Sequence, residues 1–140
     1  MNNYNNFLKN YNNLSNILPN IMSNQNNLQD PYQGFISGNM FKNLYNQYKI
    51  NTPYEIRPDN EQAQMLTNID TLDFAITDLT LYLDVNPNDK DVINLFNKYR
   101  VQLNEIQRTY ENNYGPLQLS SDSLNTYPWA WDNRPWPWEN

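Results

Sequence analysis

PDNEQAQMLTNIDTLDFAITDLTLYLDVNPNDKDVINLFNKYRVQLNEIQRTYENNYGP, residues 58–116, carries sustained helical periodicity, and carries it twice. Before a short break, Met65, Ile69, Leu72, Ile76, Leu79 and Leu83 recur at alternating spacings of four and three. After it, Val92, Phe96, Tyr99, Leu103, Ile106 and Tyr110 repeat the rhythm. Such spacing places each set on one face of a helix. Two apolar seams of equal length, joined by a break too short for anything but a return, predict two antiparallel helices over 60–84 and 87–114. The boundaries carry matching chemistry. Asp59 with Gln62 three positions on has the form of a capping box, with Asp in place of the usual Ser or Thr. In the break, Asn86 can accept an orphan amide, and Pro87 suits the first helical position because it has no amide to leave unpaired. Gly115 can take the left-handed conformation that closes a helix, and Pro116 cannot continue one.

Composition sets limits on the rest. Of 140 residues, 39% are hydrophobic and 28 are Asn, a residue that suits neither helix interiors nor strands, so the Asn-dense parts are expected to add little core. There is no His and no Cys, which excludes a Ser-His or Cys-His nucleophile, a thiolate or imidazole zinc site and any disulfide framework. No apolar run approaches the ~20 residues of a membrane span, and the first residues lack the basic and apolar regions of a signal peptide, so use without export is expected. Net charge is −6, unevenly spread: residues 59–86 hold six acids and no base. A wholly anionic first helix argues against nucleic acid, which needs clustered Lys and Arg. A solvated acidic face is the plainer reading of it, and a contact for a basic partner the sharper one.

Residues 1–29 contain 12 Asn, yet Phe7, Tyr11, Leu14, Leu18 and Ile21 also follow a four-three spacing, interrupted by Pro19. An extended, poorly structured arm is the expectation, with a weak amphipathic helix as the alternative. Residues 30–58 change character: Gly34 and Gly38 mark turns, and Met40, Phe41, Leu44, Tyr45 and Tyr48 suggest a turn or two of helix. Such a segment cannot bury itself. The hairpin offers it a place, since Phe74 and Leu81, with Tyr82 beside them, form a second stripe away from the seam. Cover from within the chain and cover by a partner protein both fit.

Beyond Gly115, a Ser-rich spacer leads to Tyr127-Pro128-Trp129-Ala130-Trp131-Asp132-Asn133-Arg134-Pro135-Trp136-Pro137-Trp138, which gathers all four tryptophans. Alternating Pro and Trp predicts an extended, polyproline-like ribbon with exposed indoles. Trp is concentrated at interface hot spots, so Pro128, Trp129, Trp131, Pro135, Trp136, Pro137 and Trp138 are candidate partner-binding residues, together with Phe74, Leu81 and Tyr82. A tail folded back over the hairpin is the competing expectation. The fold class read from the residues is thus all-α: a helical hairpin over 59–116, an N-terminal arm and segment, and a Trp/Pro-rich tail over 117–140.

Leu81-Tyr82-Leu83-Asp84-Val85-Asn86-Pro87-Asn88-Asp89-Lys90, then Tyr114-Gly115-Pro116-Leu117 and Pro135-Trp136-Pro137-Trp138-Glu139, resemble the CotJB family of bacterial spore coat proteins over about residues 61–140. Asn86 departs from the pattern, since the family often has His before the Pro; a cap survives that exchange and an imidazole role would not. Residues 34–48 more faintly resemble the small companion coat protein CotJA. The resemblance implies a non-enzymatic, cofactor-free role in the inner spore coat, made in the mother cell and assembled with other coat proteins, including a companion resembling manganese catalases. Self-association is a further expectation. Two readings from other classes remain beside it. A chaperone-like adaptor would hold a cargo enzyme without staying in the coat. An enzyme would have to work with Asp70, Asp73 and the nearby Asp78, without the His that bundle di-metal sites require.

Overall fold

The computed structural model describes residues 27–42, 55–133 and 136–139. Helix α1 (Pro31–Ser37) is followed by the long helices α2 (Glu61–Val85) and α3 (Lys90–Tyr114), then by single 3₁₀ turns at Asp122–Leu124, Ala130–Asp132 and Pro137–Glu139. Among the described residues there is no strand, only an isolated antiparallel bridge between Leu28 and Phe41. The apolar spacing from Phe7 to Ile21, the residues Leu44, Tyr45 and Tyr48, and Pro135 lie outside the described residues.

The long helices form the expected antiparallel hairpin, each 25 residues and so about 38 Å in length. Their caps differ from the expected ones. Asn60, not Asp59, caps α2 and accepts the Ala63 amide at 2.8 Å. That frame puts Gln62 one position too early to reach back, and its amide instead donates to the Tyr110 hydroxyl across the hairpin at 2.9 Å. In the turn, Asn86 serves the helix it ends: its backbone and side-chain N–H groups both donate to the Tyr82 carbonyl. Pro87 lies in the turn, ahead of α3 rather than at its first position. The cap of α3 is Asp89, whose Oδ1 accepts the Val92 amide at 3.2 Å and whose Oδ2 accepts the Tyr82 hydroxyl at 3.0 Å. One carboxylate therefore ties both helices at the turn, and as a hydrogen-bond acceptor it pushes the Tyr82 phenol above its usual range. Gly115 ends α3 with φ 121° and ψ 179°, an extended positive-φ backbone open to glycine and not the expected left-handed one.

Between the helices Ile69, Leu79, Val92, Tyr99, Leu103 and Tyr110 are buried, while Met65, Leu72, Ile76, Leu83, Phe96 and Ile106 are half-buried. Ala75 and Thr71, off the four-three rhythm, are buried too. The core divides into two clusters along the hairpin. Near the turn, Ala75, Leu79, Val92 and Tyr99 close around Met40 and Phe41. At the open end, Ile69, Leu103 and Tyr110 gather Met65, Leu66, Ile106 and Leu117. Burial, with the Asp30 carboxylate as the lesser cause, raises the Tyr99 phenol well above the tyrosine range.

The segment around α1 supplies the cover near the turn; the turn or two of helix expected from Met40 to Tyr48 lies mostly outside the described residues. Asp30 caps α1 by accepting the Gln33 amide, and Pro31 takes the first helical position. Gly38 (φ 75°, ψ 20°) closes it in the left-handed conformation, with Gly38 and Asn39 amides donating to the Phe35 and Gly34 carbonyls. Gly34 lies inside α1 instead of marking a turn. Backbone bonds from Gln29 to Met40 and from Lys42 to Asn27 close the loop, and the Met40 amide donates to Asp78 Oδ2 at 2.8 Å, pinning it to α2.

Two substitutions probe this packing. A Cβ at Gly34 would run into Sδ of the fully buried Met40. Gly34→Ala is therefore expected to lower unfolding free energy by about 1–3 kcal/mol, outweighing the ~0.5–1 kcal/mol that Ala gains in a helix interior. Among the described residues Thr71 Oγ1 is buried without a hydrogen-bond partner. Thr71→Val is expected to raise unfolding free energy by about 1 kcal/mol in urea titration, since it removes an unmet polar atom at constant shape.

Candidate docking surface and cleft at the open end of the hairpin

The tail turns back at Glu111. The Gly115 amide donates to the Glu111 carbonyl, and the Leu117 amide to its side-chain Oε1 at 3.1 Å, which delivers Leu117 into the open-end core. Where an extended ribbon was expected, the tail is built of 3₁₀ turns. Ser121 Oγ accepts the Ser123 amide to start one turn. Pro137 begins another, where its missing amide leaves nothing unpaired, and Glu139 Oε2 accepts the Trp136 amide at 2.9 Å. Local carboxylate and hydroxyl acceptors thus turn a Pro-rich stretch that has few amides for regular structure.

These turns pack the indoles on one another. Trp131 meets Trp136 edge to face, with ring centroids 5.2 Å apart, and Trp136 stacks on Trp138 at 4.9 Å with 26° between planes. Trp131, Trp136 and Pro137 line a crevice of about 50 Å³ against Tyr110, Tyr114, Gly115 and Pro116. The tail is therefore docked on its own hairpin, with its outer aromatics in water: Trp129 is 58% exposed and Trp138 69%, and Pro128 and the adjoining Tyr127 are exposed as well.

The second stripe of α2 meets a different fate. Phe74 packs against Phe35, with centroids 6.0 Å apart, and Tyr82 stacks on Phe41 at 4.7 Å. Their cover comes from within the chain, and both rings are half-buried. Leu81 remains open at 62%, beside the exposed Val85 at the turn. Of the acids considered for chemistry, Asp70 and Asp73 lie near enough for their charges to interact, but Asp78 falls on the opposite flank of α2. Asp78 holds the Met40 amide, while Asp70 and Asp73 are exposed, and among the described residues no group of three acids could hold a metal.

A cleft of about 770 Å³ lies between the tail and the hairpin. Leu66, Ile69 and Leu117 form its apolar part. Asn104, Gln107, Arg108, Glu111 and Asn112 line one wall, Ser120–Ser123 another, and Pro137 and Trp138 also border it. The α3 wall follows i, i+3, i+4, i+7, i+8, a polar stripe at helical spacing visible in the sequence but not singled out there. On α2, at 100° per residue, Leu66 and Asp70 fall to one side of the seam and Ala75, Asp78 and Tyr82 to the other. Tail and α1 segment thus cover opposite flanks.

What fold and surface define is a helical-hairpin protein whose prominent surface features are an aromatic tail and a polar cleft. The family model described as CotJB protein matches residues 63–139, more than half the chain, and the chain belongs to the CotJB family. CotJB is a spore coat family, so this is a spore coat-associated protein, and the family is not one of known enzymes. The match leaves out residues 34–48, whose fainter likeness to CotJA it does not support. No curated protein and no solved structure matches the chain. No helix among the described residues is long and apolar enough to cross a membrane.

Although Asp70 is exposed by surface area, it loses part of its hydration where it borders the cleft; that desolvation, and secondarily the charge of Asp73, raise its carboxyl above the ordinary value of 3.8. The folded protein then holds the proton more tightly than the unfolded chain, so this group's contribution is fully present below pH 3.8 and is lost as pH rises through the raised value. Asp70→Asn is expected to raise Tm slightly at pH 7, and the difference from the parent should close in acid. A Tm gain that persists or grows at low pH would contradict the assignment.

Proposed function

We propose that this CotJB-family chain is a structural assembly protein of the inner spore coat, made in the mother cell, that docks onto a manganese-catalase-like coat protein and other coat components through its Trp-Pro tail. The hairpin is the rigid support, and the inner tail indoles, Trp131 and Trp136, anchor the tail to it. What supports this is the state of Trp129, a large side chain left mostly in water on a tail that is itself folded and held. A pre-arranged aromatic loses little freedom on docking, so its contact area converts efficiently into affinity. Leu81 and Val85 form a smaller apolar spot at the other end of the hairpin, suited to a second neighbour, a CotJA-like companion or another copy of this chain. An adaptor that released its cargo would be missing from extracts of the finished coat; a structural component should be present there.

Co-purification with the manganese-catalase-like companion tests the docking. The full chain should capture it, and Trp129→Ala should weaken capture by roughly 30-fold if this side chain is a hot spot worth about 2 kcal/mol. A chain ending at Ser123 should lose capture while staying helical by circular dichroism. Equal capture by the truncated chain would move the interface to the hairpin or the N-terminal arm. Capture by neither would end the proposal of catalase docking.

A further inference from the structure

We propose that the cleft between α3 and the tail is a binding site for an uncharged oligosaccharide, independent of any protein docking through Trp129. Its volume, about 770 Å³, falls in the size range of small-ligand pockets, and the cleft stands half open to solvent. Its chemistry narrows the class. Along the α3 wall, Asn104, Gln107 and Asn112 present primary amides, and none of the three makes a hydrogen bond among the described residues. A primary amide offers donors and an acceptor side by side, the arrangement that pairs with two neighbouring hydroxyls of a sugar ring. Arg108 adds a fork of donors and makes no ion pair among the described residues.

Trp138 supplies the complementary surface. One face is stacked on Trp136, which fixes the ring, and the side chain is still 69% exposed where it borders the cleft. Sugars are amphipathic in the same sense: one face of the ring is lined by C–H groups that pack on an indole, while the rim carries hydroxyls. A flat aromatic ring beside a row of unengaged amides matches that pattern.

The competing ligand classes fit less well. Asp70, Glu111 and Asp122 outnumber Arg108 around the cleft, a balance that repels phosphate, sulfate and nucleic acid. The apolar floor is small, and a peptide or lipid hot spot needs a deep apolar pocket to desolvate. Glu111 is also already engaged through Oε1 with the Leu117 amide, so it shapes the wall more than it reads a ligand.

The test uses the purified full chain, titrated by calorimetry and by tryptophan fluorescence with the trisaccharides of N-acetylglucosamine and of glucose, and with a sulfated trisaccharide. Saturable binding of at least one neutral sugar is expected, with a blue shift of tryptophan emission. Trp138→Ala and Asn112→Ala should each weaken it by roughly tenfold at unchanged helicity, and Trp129→Ala should leave it unaltered. Asn112 is exposed on α3, so its variant keeps the test informative should Trp138→Ala disturb the tail. Absence of saturable binding to either neutral sugar, binding indifferent to both cleft variants, or preference for the sulfated sugar would each overturn the proposal. Saturable binding of a peptide comprising residues 1–26 in place of the sugars would reassign the cleft to protein. Because these readouts need no companion protein, failure here and failure of catalase capture are separate results.

Discussion

A pair of helices in contact buries one stripe of each and leaves a flank of the pair open on either side. Here each helix is long enough to carry two core clusters, but the seam alone cannot enclose either. Near the turn, Met40 and Phe41 close one cluster from one flank; at the open end, Leu117 and the tail close the other from the opposite flank. Each fully buried apolar side chain contributes roughly 1.5–3 kcal/mol, so these few residues are a substantial share of what holds a small domain together.

The two covers are built differently, and that difference divides their roles. The α1 segment is bound by polar as well as apolar contacts: the Met40 amide on Asp78, backbone bonds closing its loop, and rings on Phe74 and Tyr82. It spends its aromatics inward. The tail commits Trp131 and Trp136 to the hairpin and keeps Trp129 and Trp138 outside. An assembly protein needs such a surface, held in place by part of itself and still open to neighbours. A spore coat family supplies the setting in which that surface would be used.

Much of the hairpin was legible because its signals are local. Heptad-like spacing, acceptors at helix starts and the Gly115-Pro116 stop all act within a few residues. The exact caps were not legible, since each boundary offers two competent acceptors. Asp59 and Asn60 stand side by side, Asn86 and Asp89 stand three positions apart across Pro87, and the helical frame chosen by the seam decides between them. Asp89 wins its place by also receiving the Tyr82 hydroxyl from the other helix. The tail misled in a similar way: proline argued for an extended ribbon, and side-chain acceptors such as Glu139 turned it instead.

From residues alone came the all-α class, the antiparallel hairpin with its seam, the family, and the concentration of tryptophan in one tail. These depend on periodicity and short motifs, which need no knowledge of distant neighbours. Which flank each appendage covers, which aromatics stay exposed, and the existence of a polar cleft were decided only in three dimensions. Asp78 meets the Met40 amide 38 positions away, and Gln62 meets Tyr110 across 48. Contacts at such separations depend on how the hairpin and its appendages pack, and no local pattern in the chain encodes that choice.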